Sequence, residues 1–180
     1  MLIEEGLDTG PLVFQKEFPL SSFATTGTLY THLFEEAAKL LPEVITKYCE
    51  GTFKSTPQLQ TANSQLLTTK HIHKSDAFIP WDLIQKALHG TDIEKGSRPL
   101  FLQQFEGGWP ALVERAIRAF SPWPNVWTEV KIKNETKRLK ILQAYRNGDD
   151  KLRFLKVQLE GKTPISWEQF IKGYPELFTS

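Results

Sequence analysis

The string Glu5-Gly6-Leu7-Asp8-Thr9-Gly10-Pro11 places one carboxylate between two glycines. Gly6 and Gly10 let the backbone turn tightly around Asp8 and come close to a ligand, and Thr9 can donate a hydrogen bond that fixes the carboxylate. Standing alone, an Asp-Thr-Gly string is a capped turn and no more. His71-Ile72-His73 in an extended segment would put both rings on one face. No cysteine and no nearby paired acids complete a ligand set, so no metal site is expected there. Cys49 falls among apolar helix positions and is read as packing, not as a nucleophile.

Charge supplies a further signal. The net charge is only +1, but residues 109–180 carry 13 Lys and Arg against 8 Asp and Glu, while residues 1–60 carry 4 against 8. Within residues 131–162 the balance is 10 against 4, from Lys131, Lys133, Lys137, Arg138, Lys140, Arg146, Lys151, Arg153, Lys156 and Lys162. Many of these belong to an ordinary solvated face. A phosphate-binding surface is the functional alternative.

These groups need elements to position them. Residues 12–20 read as a strand bounded by Pro11 and Pro19. A helix then starts in Thr25-Thr26-Gly27-Thr28, repeats Leu29, Leu33, Phe34, Ala37, Leu40, Leu41, Val44 and Ile45 at helical spacing, and ends at Gly51. Pro42 should kink or split it. Residues 52–75, rich in Thr, Ser, Gln and Asn, form a linker between residues 1–51 and a second unit over 76–180. In that unit residues 89–108 form a loop-rich excursion, and Leu112, Ala116, Ile117 and Phe120 share a helix face. Three strand candidates follow: Trp127 to Lys133, the stretch around Leu139 and Ile141, and Lys151 to Leu159. Asn134-Glu135-Thr136 and Asn147-Gly148-Asp149-Asp150 separate them. Ser166-Trp167-Glu168-Gln169 is a capping box for a last helix that stops near Gly173 and Pro175.

Composition bounds the class. Forty per cent hydrophobic and 24% charged residues describe a globular chain. No apolar run is long enough to cross a membrane, and the start has neither a basic region nor an apolar stretch of secretory type. With Cys49 alone no intrachain disulfide forms, and a cytoplasmic location is expected.

Two stretches carry a family resemblance. Glu5-Gly6-Leu7-Asp8-Thr9-Gly10-Pro11, followed after the expected strand by Thr26-Gly27-Thr28-Leu29-Tyr30, resembles the end of a folate-dependent formyltransferase domain. Ala116-Ile117-Arg118-Ala119-Phe120-Ser121-Pro122-Trp123-Pro124-Asn125-Val126-Trp127-Thr128 resembles the opening of the C-terminal barrel of methionyl-tRNA formyltransferases, and residues 155–166 resemble its last strand and closing helix. Trp123 and Trp127 are expected to bury against that barrel. The implied fold is α+β: a C-terminal remnant of an α/β nucleotide-fold formyltransferase domain, then a small, abbreviated OB-like β-barrel domain with flanking helices. Fewer strands are visible than the family barrel has, so the barrel is abbreviated or open.

The resemblance implies transfer of a formyl group from 10-formyltetrahydrofolate to the amino group of initiator methionyl-tRNA, without a metal, by an enzyme that is a monomer when complete. The incoming amine attacks the formyl carbon, an oxyanion forms, and a proton passes from the amine to the departing folate nitrogen. Asp8 would orient the catalytic imidazole and a water. Glu5, Gly6 and Leu7 would form part of the folate pocket. Lys131, Lys133, Lys140, Arg153 and Lys156 would meet tRNA. The family's catalytic Asn and His come from an upstream Asn-x-His string that occurs nowhere in these 180 residues. Met1 is either an internal residue of a longer protein or a start after truncation. The chain alone is expected to be inactive. A sugar-nucleotide formyltransferase fragment and a non-catalytic RNA-binding protein are the alternatives.

Overall fold

The computed structural model describes residues 1–5, 8–58, 71–146 and 148–178. Cα packing divides the chain into two units: Met1–Ala24 with Thr28–His71, and Thr25–Gly27 with Ile72–Ser180. Of the linker expected over 52–75, residues 59–70 lie outside the described residues.

In the first unit the expected strand over 12–20 is not formed. Leu12 exchanges two 2.8 Å backbone hydrogen bonds with Thr56, and the residues after it are irregular. Strand geometry needs a neighbouring ladder, and among the described residues only Thr56 offers one. Helix α1 (Thr26–Cys49) runs through Pro42 without splitting. Thr46 Oγ1 donates to the Pro42 carbonyl at 3.0 Å, and Glu36–Lys39 and Glu43–Lys47 add ion pairs one turn apart. Gly51, at φ +66°, follows in the left-handed conformation that glycine adopts without steric cost.

The apolar repeat of α1 does not become a core. No residue of the helix is buried, and Phe34 is 61% exposed, with Leu33, Leu41 and Ile45 also open. Cys49, expected to pack, is exposed as well. Its helical neighbours are themselves uncovered, so there is no interior for the thiol to enter.

The second unit has a continuous core. Helices α2 (Trp81–His89), α3 (Leu100–Gln103) and α4 (Trp109–Ala119) precede strands β1 (Val126–Ile132), β2 (Glu135–Arg146), β3 (Leu152–Leu159) and β4 (Ile165–Ser166), and α5 (Trp167–Gly173) follows. Short 3₁₀ turns occupy Lys74–Ala77, Lys95–Ser97 and Pro175–Leu177. The strands form one antiparallel sheet in chain order, β1-β2-β3-β4. The architecture of this unit is α+β. The predicted helix face is buried: Leu112, Ala116, Ile117 and Phe120 join Trp109, Ile84, Leu139, Ile141 and Phe170 in the core. Trp109 is fully buried, and its indole N–H donates to the Leu83 carbonyl at 2.7 Å, which satisfies the ring's only polar atom.

Register follows the alternation closely in β1 and less so afterwards. Val126, Thr128, Val130 and Ile132 face inward, opposite Ile141, Leu139, Lys137 and Glu135. The hairpin loop is Lys133-Asn134 alone, with φ of +47° and +67°, the arrangement a two-residue type I′ turn requires. Glu135 and Thr136, expected in the turn, therefore belong to β2. Irregularities at Ile141/Gln143 and Gln143/Ala144 break the β2–β3 alternation, so Leu155 is exposed between buried Phe154 and Val157. Ser166 caps α5 as expected: its Oγ accepts from Gln169 N at 3.2 Å, and Gln169 Oε1 accepts from Ser166 N at 3.1 Å. One expectation fails at the double-proline turn. Trp123 is 52% exposed while Trp127 is half-buried. Asn125 takes φ +63° and hydrogen-bonds back to Pro122 and Phe120, so the turn closes on backbone contacts and leaves Trp123 outside.

Candidate functional site

In the first unit the turn bearing Asp8 is held by backbone geometry and one remote side chain. Asp8 is exposed and sits at φ +55°, a region that Asp tolerates better than most residues. Gly10 is buried, and a Cβ there would stand 1.9 Å from the Leu2 carbonyl oxygen, so no other residue fits. The Gln58 side-chain amide donates to the Asp8 carbonyl at 3.0 Å and to the Gly10 carbonyl at 2.7 Å. One amide thus spans the carbonyls on either side of Thr9. Glu5 is exposed, and Gly6 and Leu7 lie outside the described residues. No imidazole is hydrogen-bonded to Asp8 among the described residues. Among them there is also no group of three His, Cys, Asp or Glu able to hold a metal ion.

In the second unit the sheet face turned away from the core carries cations. Because Val126, Thr128, Val130 and Ile132 point inward, Trp127, Glu129 and Lys131 point outward, across from Lys140, Arg138 and Thr136. Directly opposed side chains in such a ladder have Cβ atoms about 5 Å apart. Lys140 continues across β2 to Gln158, and Lys156 lies two residues along β3 on the same side, next to Gln143. Lys133 stands at the hairpin tip. Among the described residues Lys131, Lys133, Lys140 and Lys156 have no carboxylate at ion-pair distance.

The other cations of residues 131–162 are partly engaged. Lys137 pairs with Glu135 at 3.0 Å, which raises its pKa above the ordinary lysine value, through the hydrogen bond first and charge attraction second. Arg146 pairs with Asp150. Arg153 pairs with Asp149 at 3.0 Å and reaches the Leu88 carbonyl at 3.5 Å, so it is drawn toward α2. Arg138 lies over the Trp127 ring, 4.4 Å from its centroid, while that indole donates to the Lys74 carbonyl at 2.7 Å and packs on Phe78. Four of the five residues assigned to tRNA from sequence thus line the outward face or its tip, and Arg153 turns elsewhere. Sequence reasoning missed the Arg138–Trp127 stack, although their cross-strand diagonal was implicit in the alternation. Nothing in the sequence marks Gln58, whose role depends on the chain returning to the Asp8 turn.

No protein-family model matches the chain. Curated relatives do match. The class they define is that of formyltransferases, and the chain is similar to them over 71% to 97% of its length. Each of the following carries the name methionyl-tRNA formyltransferase. The protein of Chloroflexus aggregans is 33% identical over 129 residues, 71% of this chain and 32% of the relative. That of Sinorhizobium medicae is 25% identical over an aligned length of 193, covering 97% of this chain and 53% of the relative. That of Phenylobacterium zucineum is 27% identical and covers 96% and 53%. The chain therefore spans about a third to a half of the length of the curated relatives it matches. Among the described residues no helix is long and apolar enough to cross a membrane.

Proposed function

We propose that this chain carries the C-terminal half of a methionyl-tRNA formyltransferase. In this reading residues 1–51 end the formyl-transfer domain, 52–75 connect, and 76–180 form a barrel-like tRNA-binding domain. Formyl transfer runs from 10-formyltetrahydrofolate to the amino group of initiator methionyl-tRNA. Glu5, Gly6 and Leu7 contribute to the folate pocket. Asp8 orients an imidazole supplied from elsewhere in the complete enzyme, which relays the proton from the attacking amine. The clamp of Gln58 on both sides of Thr9 supports a fixed position for that carboxylate. Lys131, Lys133, Lys140 and Lys156 contact tRNA phosphates, and Arg153 contributes at the edge.

The observation that carries the RNA half of the reading is the outward face of β1 to β3. Four cations without carboxylate partners among the described residues line one exposed surface or its hairpin tip, as phosphate binding requires. Phosphate contacts fix register and orientation without reading sequence. Titration of the 180-residue chain with tRNA across a salt series tests this. Binding at low salt that falls steeply with salt is expected, and absence of binding at low salt overturns it.

A further inference from the structure

Away from the lysine face, the second unit contains a cavity of about 280 Å³ between α2, β3, α5 and the C-terminal 3₁₀ turn. Its size is just under the roughly 300 Å³ at which drug-sized sites begin, so it admits a ligand of about one nucleotide and no longer chain. One wall is apolar and largely aromatic, from Trp167, Ile171 and Phe178. Trp167 is held by edge contacts to Phe154 and Phe178 at 4.9 and 5.5 Å, so this wall is preformed.

Polar groups also line the cavity. Arg153 is one of them, and its guanidinium donates to Asp149 at 3.0 Å and to the Leu88 carbonyl at 3.5 Å. A guanidinium has five N–H donors in a planar fork, so further donors remain for a phosphate after those two. His89 lines the cavity beside it. Its Nδ1 must donate to the Gln85 carbonyl at 2.8 Å, since a carbonyl only accepts, and this fixes the ring and leaves Nε2 free of partners among the described residues. The Gln85 side-chain amide, also without a partner among the described residues, offers one acceptor and donors at the cavity wall.

We propose that this cavity binds a single nucleotide, its base against Trp167, Ile171 and Phe178, its ring edge read by Gln85, its phosphate held by Arg153, and a ribose hydroxyl donating to the lone pair of His89 Nε2. The three features discriminate against simpler ligands. A bare anion leaves the aromatic wall unused. An apolar chain gives the Gln85 amide donors no acceptor, and covering them unpaired is costly. A planar heterocycle with a phosphate satisfies both the aromatic wall and the polar groups. The site shares only Arg153 with the proposed tRNA contacts and does not depend on the lysine face.

The test is an NMR titration of the full 180-residue chain with adenosine 5′-monophosphate and uridine 5′-monophosphate. Adenosine, uridine and inorganic phosphate serve as the separated halves. Saturable shifts are expected at the Trp167 indole N–H, His89 and Ile171, with Kd on the order of 1 mM for so small a ligand. Either half alone should bind roughly tenfold more weakly or not at all. Arg153→Gln and, independently, Ile171→Glu should each weaken binding by about tenfold, with thermal unfolding checked for both variants. Asp149→Asn should strengthen it, because it removes the carboxylate that competes for the guanidinium. The proposal is overturned by no shift up to about 10 mM, by an equal response to phosphate alone or to nucleoside alone, or by either weakening variant binding as the parent does. Shifts confined to Lys131, Lys133 and Lys140 also overturn it while leaving the tRNA-binding reading intact. Nucleotide binding in the cavity with no tRNA affinity leaves this proposal standing and removes the other.

Discussion

Arg138 lies over the indole of Trp127, the guanidinium carbon 4.4 Å from the ring centroid, and the two residues sit diagonally across β1 and β2. The contact joins the exposed sheet face to the segment before α2, because the same indole donates to Lys74 and packs on Phe78. In a double-mutant cycle, Arg138→Gln and Trp127→Leu should show a coupling of about 0.5–1 kcal/mol, the scale of a partly exposed cation–π pair. Trp127→Leu alone should cost about 2 kcal/mol, since it also removes a hydrogen bond and an aromatic contact. Urea denaturation midpoints measure both; additive losses would show that the stack contributes no pairwise energy.

Replacing Lys131, Lys133 and Lys140 together by Gln should weaken the binding of different tRNAs to similar extents. Each phosphate contact contributes roughly −0.7 to −0.9 to the log–log salt slope, so the triple variant should flatten that slope by about 2 to 3. Filter binding across a salt series reads this directly. An unchanged slope would mean that these lysines are only a solvated surface.

Amide exchange should divide the chain. Helix α1 buries no residue and exposes Phe34, Leu41 and Ile45, whereas α4, β1 and β2 enclose the core. Exchange in Thr26–Cys49 should therefore be far faster than in Trp109–Ala119 and Val126–Ile132, reflecting local opening of low free energy. Equal protection of the two regions in a monomer contradicts this.

The 180-residue polypeptide should give no turnover with 10-formyltetrahydrofolate and methionyl-tRNA, because it contains no Asn-x-His string to work with Asp8. In a protein extended to the length of its relatives, Asp8→Asn should lower turnover by roughly 10²-fold while leaving tRNA affinity unchanged. The amide keeps the shape of the side chain but cannot stabilise an imidazolium. Turnover close to the parent's would reduce Asp8 to a turn residue.

How much of this was legible depends on whether a residue's role is local. The α5 capping box, the face of α4 and the strands β1 to β3 follow from spacing alone, and the structure has all of them. The strand over 12–20 does not form because strand structure depends on a neighbour that periodicity does not reveal. Leu155 and Gln143 escaped the alternation because bulges shift register by one residue without a signature in composition. Strand β4 has two residues, too few for any alternation to show. At the candidate site the cationic face could be read from alternate residues, but the diversion of Arg153 to Asp149 and Leu88 depends on where α2 packs. Gln58 could not be found at all, since nothing short of the fold brings position 58 to position 8.

All five tryptophans, Trp81, Trp109, Trp123, Trp127 and Trp167, lie in the unit spanning Ile72–Ser180. Intrinsic indole fluorescence therefore reports on that unit, while the 24 residues of α1, most of which belong to the other, contribute strongly to the far-ultraviolet circular dichroism. Trp109 in the core and Trp123 at the surface should emit as a shielded, blue-shifted component and a red-shifted one open to aqueous quenchers. A thermal scan that follows both signals therefore separates the melting of the two units without a label or a truncation.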